Sequence, residues 1–363
     1  MRVAFLPCNK FHDAILRPIH EMLSRRHWCL YTENREALFD FQPHVTIMAE
    51  AIFGELRPRL PKTIFVHTRH GLASKMVAYQ GANECDYLCV TSDFMRDWYQ
   101  QGGSKPRQDF WVIGYVGLDP LFRGDSPALP FDRKPGQKTV LYAPTFNRPL
   151  SSAGMLGARL VELIRGSRQD ISIIIKPHPL IAEQSPEWME TWRRLAHEHE
   201  DVHLVANAND DVMPYLRAAD ALITDASSVQ LYYLALDRPM ILINNPDRFG
   251  CEYFDPRGFE WSWRDMGRQI ENVEELPATV AAALSDPVRG SDRRAHYRKL
   301  LFGDLTDGKA VERLCHNVEK LAATIPSNHL SYLASVPAAR LAARKVKWAA
   351  RRAVQGITRL WSL

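Results

Sequence analysis

The sequence predicts an α/β protein of two Rossmann-like halves facing across a cleft, and three observations carry that reading. At 363 residues the chain has room for two domains of roughly 150 residues each. Short apolar runs alternate with segments of helical periodicity, the pattern of βαβ units around mainly parallel sheets. The alternation breaks once, at GDSPALPFDRKPG (124–136), which holds three prolines, has no period and reads as a linker. The expected division is therefore an N-terminal domain over 1–125, a linker over 126–137, a C-terminal domain over 138–325 and a tail over 326–363.

In the first half, residues 2–6, 45–48, 63–67, 87–91 and 110–113 are short, apolar and bounded by turn residues, hence strands. Residues 14–25 and 93–101 have helical spacing, the second opening after Ser92, whose hydroxyl suits an N-cap. The second half repeats the scheme, with strands over 139–142, 171–176, 202–205, 221–224 and 240–243. Helices are expected over 157–165, 186–199, 211–218 and 229–236.

Composition narrows the class. With 46% hydrophobic and 24% charged residues, the chain is neither disordered nor fibrous, and no run reaches the ~18 apolar residues of a spanning helix. Six scattered cysteines, with Cys85 and Cys89 a lone C-x3-C, fit reduced thiols in a cytoplasm better than a disulfide framework or a zinc site. Cys8 and His12 interrupt any signal-peptide core. Eight of the 46 Lys and Arg lie from Lys320 onward with no acid among them, leaving 38 bases against 42 acids before them. A mildly acidic body with a basic tail argues against nucleic acid as a partner. Within the tail, Ala342, Val346, Ala349, Ala353, Ile357 and Leu360 recur at helical spacing, with Arg340, Arg344, Lys347 and Arg351 on another face and Trp348 and Trp361 beside them. That is a basic amphipathic helix suited to an anionic membrane surface, so the expected location is cytoplasmic and peripheral on the inner face of the membrane.

In open α/β sheets ligands sit beyond the carboxyl ends of the strands, and four loops there carry chemistry. Thr-Arg-His-Gly after the third strand offers His70, an imidazole placed to accept a proton from an attacking hydroxyl, with Gly71 and Lys75 beside it. Lys176-Pro-His178-Pro fixes a cation and an imidazole at a strand tip stiffened by proline. Thr224-Asp225-Ala-Ser227-Ser228 runs from a strand into a helix, an arrangement that serves equally for capping and for anion binding. Asp307-Gly308-Lys309 nearly completes a P-loop, but Ala310 replaces the magnesium-binding hydroxyl and 297–302 is a poor buried strand, which excludes an NTPase. No G-x-G-x-x-G follows the first strand, and neither D-x-D nor G-x-S-x-G occurs, so a dinucleotide oxidoreductase, a carboxylate-held magnesium and a serine hydrolase are not expected. The His197-Glu-His-Glu-Asp201 run with His203 reads as charge at a helix end rather than as a metal site.

HG at 70–71, YAPT at 142–145, KPHP at 176–179, TDASSV at 224–229 and TDGKAVER at 306–313 occur in that order over residues 60–320. Together they resemble the CDP-glycerol glycerophosphotransferase family of teichoic-acid-type primases and polymerases. The resemblance implies a GT-B fold, an N-terminal acceptor domain, and a C-terminal domain binding a CDP-activated donor; no metal and no further cofactor is expected. It implies transfer of glycerol phosphate to a hydroxyl of a lipid-linked glycan, with release of CMP. Carried over by motif, His70 matches the general base and His178 a second functional histidine. Lys176, Thr224, Asp225, Ser227, Ser228, Asp307, Gly308 and Lys309 match donor-side segments, and Thr145 is a further candidate. Ala226, Phe146 and Glu260–Trp263 depart from the family pattern, which leaves open a polyol phosphate other than glycerol phosphate. Two other classes fit the same halves: a sugar-nucleotide glycosyltransferase or 2-epimerase-like enzyme, and a non-catalytic nucleotide- or polymer-binding homologue.

Overall fold

The computed structural model describes residues 1–72, 83–125, 129–132, 134–205, 207 and 210–324. Lys75, part of the linker and the basic tail over 326–363 lie outside them. The described residues form two six-stranded sheets. The first contains β1 (Arg2–Phe5), β2 (Trp28–Tyr31), β3 (Val45–Met48), β4 (Ile64–His67), β5 (Tyr87–Val90) and β6 (Asp109–Val112), in the order β2-β1-β3-β4-β5-β6. The second contains β7 (Lys138–Ala143), β8 (Ile171–Ile175), β9 (Val202–Leu204), β10 (Ala221–Thr224), β11 (Met240–Ile243) and β12 (Arg268–Ile270), in the order β12-β11-β10-β7-β8-β9. Every pairing is parallel.

The expected strands all appear, with ends within one residue. They are mainly apolar because helices cover both faces of a parallel sheet: β8, β10 and β11 are buried at every position. Tyr142, Ile173, Ile175 and Ile223 pack with Trp192, Leu160 and Val280 of the covering helices in one continuous core. Ser92 caps Asp93–Gln101 by accepting from the Met95 N–H. Residues 297–302, a poor strand on sequence, end the helix Ser291–Phe302.

Each sheet reverses its direction of growth once. In the first, the reversal falls between β1 and β3; in the second, between β7 and β10. Such switch points open a crevice beyond the strand ends. YAPT leaves β7 and TDASS leaves β10, so the second crevice is lined by two of the motifs.

The chain returns late to the first sheet. Leu301 O accepts from the Thr91 hydroxyl and Leu300 O from that of Ser92 at 2.7 Å. The Asp119 carboxylate accepts from the N–H groups of Ala310 and Val311, both at 2.9 Å. Trp98 and Phe94 meet Phe259 and Trp263 ring to ring, the closest pair at 4.6 Å. Accordingly Arg2–Cys315 forms one compact unit. Met1 and His316–Leu363 make up a second, whose described part continues the helix Ala310–Thr324.

Candidate active site

β4 ends at His67 and hands the chain to Thr68, Arg69, His70 and Gly71. Arg69 holds φ at +62°, rare for a long side chain and a local strain that fixes where its neighbour points. Its guanidinium is buried over the Tyr99 ring at 4.7 Å. His70 is exposed, and its Nδ1 lies 3.1 Å from Ala49 O. A carbonyl only accepts, so Nδ1 carries the proton and Nε2 keeps its lone pair. That is the form a general base needs.

His178 is built the other way. The Leu180 N–H donates to its Nδ1 at 3.2 Å, so the neutral ring carries its proton on Nε2 and presents a donor. Phe146 packs on the ring at 4.6 Å. Lys176, buried beside it, is pushed down to about 8 by desolvation, an effect partly offset by Asp210 and Asp211. It titrates at the upper edge of the physiological range.

The TDASS turn divides its labour. Thr224 is buried and donates to Ala143 O at 2.6 Å, tying β10 to β7. Ser227 accepts from the Val229 N–H and so caps the six-residue helix Ser228–Tyr233. Asp225, grouped on sequence with the phosphate-binding residues, lies inside the protein instead. Its carboxylate accepts from the Thr145 N–H at 2.9 Å and the Ser152 N–H at 3.0 Å. It positions the YAPT loop rather than facing a ligand. The Thr145 hydroxyl is buried with no hydrogen-bond partner among the described residues.

Ser228 is where the two halves meet. A Cβ added to Gly71 would lie 3.0 Å from Ser228 Oγ and 3.5 Å from Tyr232 Oη. A side chain at 71 would crowd the Ser228 hydroxyl, so glycine suits this close approach of the His70 loop. Tyr232 stacks on Tyr115 with centroids 5.7 Å apart.

The Asp307–Lys309 turn does not join this group as a phosphate cradle. The first N–H groups of the helix it opens are already bound by Asp119. Asp307 pairs with Arg313 at 2.5 Å and accepts from the Lys309 N–H. Gly308 has φ +70°, and a Cβ there would strike Asp119 O at 2.8 Å and Arg123. The Lys309 side chain is exposed, while its N–H is held by Asp307. The turn is a joint between the sheets.

Sequence reasoning missed Arg69, Tyr115, Tyr232, Asp211, Glu50 and His12. Glu50 follows β3 and His12 follows β1, so the rule that led to His70 reaches both. Tyr115 and Tyr232 gave no sign, because an apolar-spaced tyrosine reads as core.

The model of the family described as CDP-glycerol:poly(glycerophosphate) glycerophosphotransferase matches residues 20–320. The teichoic acid glycerol-phosphate transferase of Staphylococcus aureus (strain NCTC 8325 / PS 47) is 23% identical over 309 residues, 72% of each chain. The teichoic acid glycerol-phosphate primase of Bacillus subtilis (strain 168) is 27% identical over 160 residues, 43% of this chain and 39% of that one. Among solved structures, the wall teichoic acid polymerase TagF superposes with a TM-score of 0.65 at 16% identity, covering 88% of both chains. The UDP-GlcNAc 2-epimerase of Neisseria meningitidis, bound to UDP-GlcNAc, gives 0.58 at 12% identity over 88% of this chain and all of that one. These structures establish the fold as GT-B-like, two Rossmann-like sheets with their helices. With residues 20–320 matched by its model, the chain belongs to the CDP-glycerol:poly(glycerophosphate) glycerophosphotransferase family and is a glycerophosphotransferase.

Proposed function

We propose that the protein transfers glycerol phosphate from CDP-glycerol to a hydroxyl of a lipid-linked glycan or polymer, releasing CMP, in the synthesis of a cell-wall polymer. The observation that carries this reading is the meeting of Gly71 and Ser228, which sets a proton-accepting imidazole from one sheet beside the polar turn of the other. In the reaction the acceptor oxygen attacks the glycerol-bearing phosphorus. His70 Nε2 takes the hydroxyl proton, a P–O bond forms to the acceptor, and the P–O bond to CMP breaks. The developing charge falls to donors already oriented: the His178 Nε2–H, the Lys176 ammonium and the Ser228 and Thr145 hydroxyls. A TagF variant has been soaked with CDPG, which supports the same donor here.

The test is a nucleotide-release panel. CDP-glycerol, UDP-sugars and a lipid-linked acceptor are supplied in turn, and CMP and UDP are quantified. CMP from CDP-glycerol alone, dependent on acceptor, is expected, and His70→Ala should lower turnover by about 10²–10⁴ while donor affinity holds. UDP release, or full turnover in His70→Ala, overturns the assignment.

A further inference from the structure

We infer that Glu50 and His12 are positioning residues for His70, forming a His–Glu–His cluster in which one carboxylate serves two imidazoles and holds the base ready to accept a proton. This deepens the reading of His70 as the base and rests on it.

The topology assembles the cluster. β1, β3 and β4 are successive neighbours in the first sheet, and the loops beyond their carboxyl ends deliver His12, Glu50 and His70 to the switch-point crevice. Glu50 Oε2 lies 3.4 Å from His70 Nδ1 and 3.8 Å from His12 Nε2. His70 Nδ1 also donates to Ala49 O, so backbone and side chain of adjacent residues fix the ring together. His12 is fully buried, and its Nδ1 accepts from the Cys8 N–H at 3.2 Å. Its proton therefore sits on Nε2, an atom with no hydrogen-bond partner among the described residues and 3.8 Å from the carboxylate. The His12 and His70 rings stack with centroids 5.4 Å apart and planes 23° apart, and Phe11 closes edge-on against both.

Charge follows geometry. Burial, then the nearness of His70, pushes His12 down to about 4, so near neutral pH it is uncharged and adds no repulsion when His70 gains a proton. The charged and titratable groups acting on His70 are then Glu50, His12 and the buried His67, while the Cys8 thiol, pushed up by burial and Glu50, faces the same carboxylate. Of these Glu50 supplies the compensating negative charge, the role of the third member in nucleophile–base–orienter sets. The three side chains also place ligand atoms within 4.8 Å of one another. A metal would need lone pairs on His12 Nε2 and His70 Nδ1, and both carry protons in this bonding pattern. Positioning fits; metal binding does not.

The experiment compares the full-length enzyme with Glu50→Gln, Glu50→Asp, His12→Asn and His70→Asn, recording kcat, donor KM and kcat/KM from pH 5 to 9. Glu50→Gln should lower kcat about 10- to 100-fold with donor KM within about twofold. Glu50→Asp, which keeps a carboxylate, should recover most of that kcat, and His12→Asn should give a smaller loss of kcat. An unchanged kcat in Glu50→Gln, a donor KM that rises in step with the loss, or a Glu50→Asp as slow as Glu50→Gln overturns the inference even if His70→Asn is inactive. Turnover in His70→Asn would instead remove the base assignment itself. Loss of wild-type turnover in EDTA with recovery in Zn²⁺ would replace positioning by metal binding.

Discussion

Asp225 is a carboxyl that solvent does not reach. Burial pushes it up to about 6, against the opposing pull of the Ser152 and Thr145 donors and Arg264. A carboxyl raised in the native state stabilises most fully below its unfolded value near 4, and that contribution is lost as pH rises through 6. At ~1.4 kcal/mol per unit, the decline is at most about 3 kcal/mol between pH 4 and 6. Denaturant unfolding across that window should show it in the wild type and not in Asp225→Asn. Lys176 titrates in the opposite sense with respect to ligand. Its ammonium, pushed down to about 8, empties above that pH, so the dissociation constant for a CDP-nucleotide should rise up to about tenfold per unit beyond pH 8. Lys176→Met should bind weakly with no such rise, as calorimetry at pH 7, 8 and 9 would reveal. Residues of this kind are half legible in sequence. Lys176, His70 and His178 announce themselves as polar groups following an apolar run. Asp225 stands in the same kind of place and does another job, because spacing does not distinguish a carboxylate facing out from one turned in on two backbone donors.

Among elements, the helix Ala310–Thr324 begins on a borrowed cap. Asp119, from the first half of the chain, accepts its first two free N–H groups. Asp119→Ala should cost about 1–2 kcal/mol, measured as a lower denaturation midpoint at unchanged m-value. Asp119→Asn should retain part of the loss because one oxygen still accepts. Strands inside the sheets were readable from sequence because both faces are covered and most positions are apolar. The two that escaped, β2 and β12, are outer strands with one neighbour each and partly exposed side chains. An Arg-Gln-Ile stretch carries no apolar run to recognise, and its strand identity comes from pairing with β11. The Asp307–Lys309 turn misled for a related reason: a glycine-bearing helix start looks the same whether a phosphate or a distant aspartate fills it.

For the molecule as a whole, no helix among the described residues is long and apolar enough to cross a membrane. The basic tail, proposed to hold the enzyme on an anionic surface, lies beyond the described residues and is argued from its sequence. Removing 337–363 should abolish cosedimentation with anionic vesicles at physiological salt and processing of lipid-linked acceptor, while a soluble acceptor analogue still reacts. Equal vesicle binding by the shortened protein would show that the tail is not the anchor. Within the unit Arg2–Cys315, the late return of the chain has a further consequence, for synthesis on the ribosome. Thr91, Ser92 and Asp119 wait for partners 210, 208 and 191 residues downstream. At typical elongation rates that is about 10–40 s. Through that interval the nascent first sheet carries three polar side chains unmatched, and Phe94 and Trp98 stay uncovered until Phe259 and Trp263 follow. A chain stopped near residue 250 would emerge sticky, and chaperones should be found on the first half until Phe259 and Trp263 leave the tunnel.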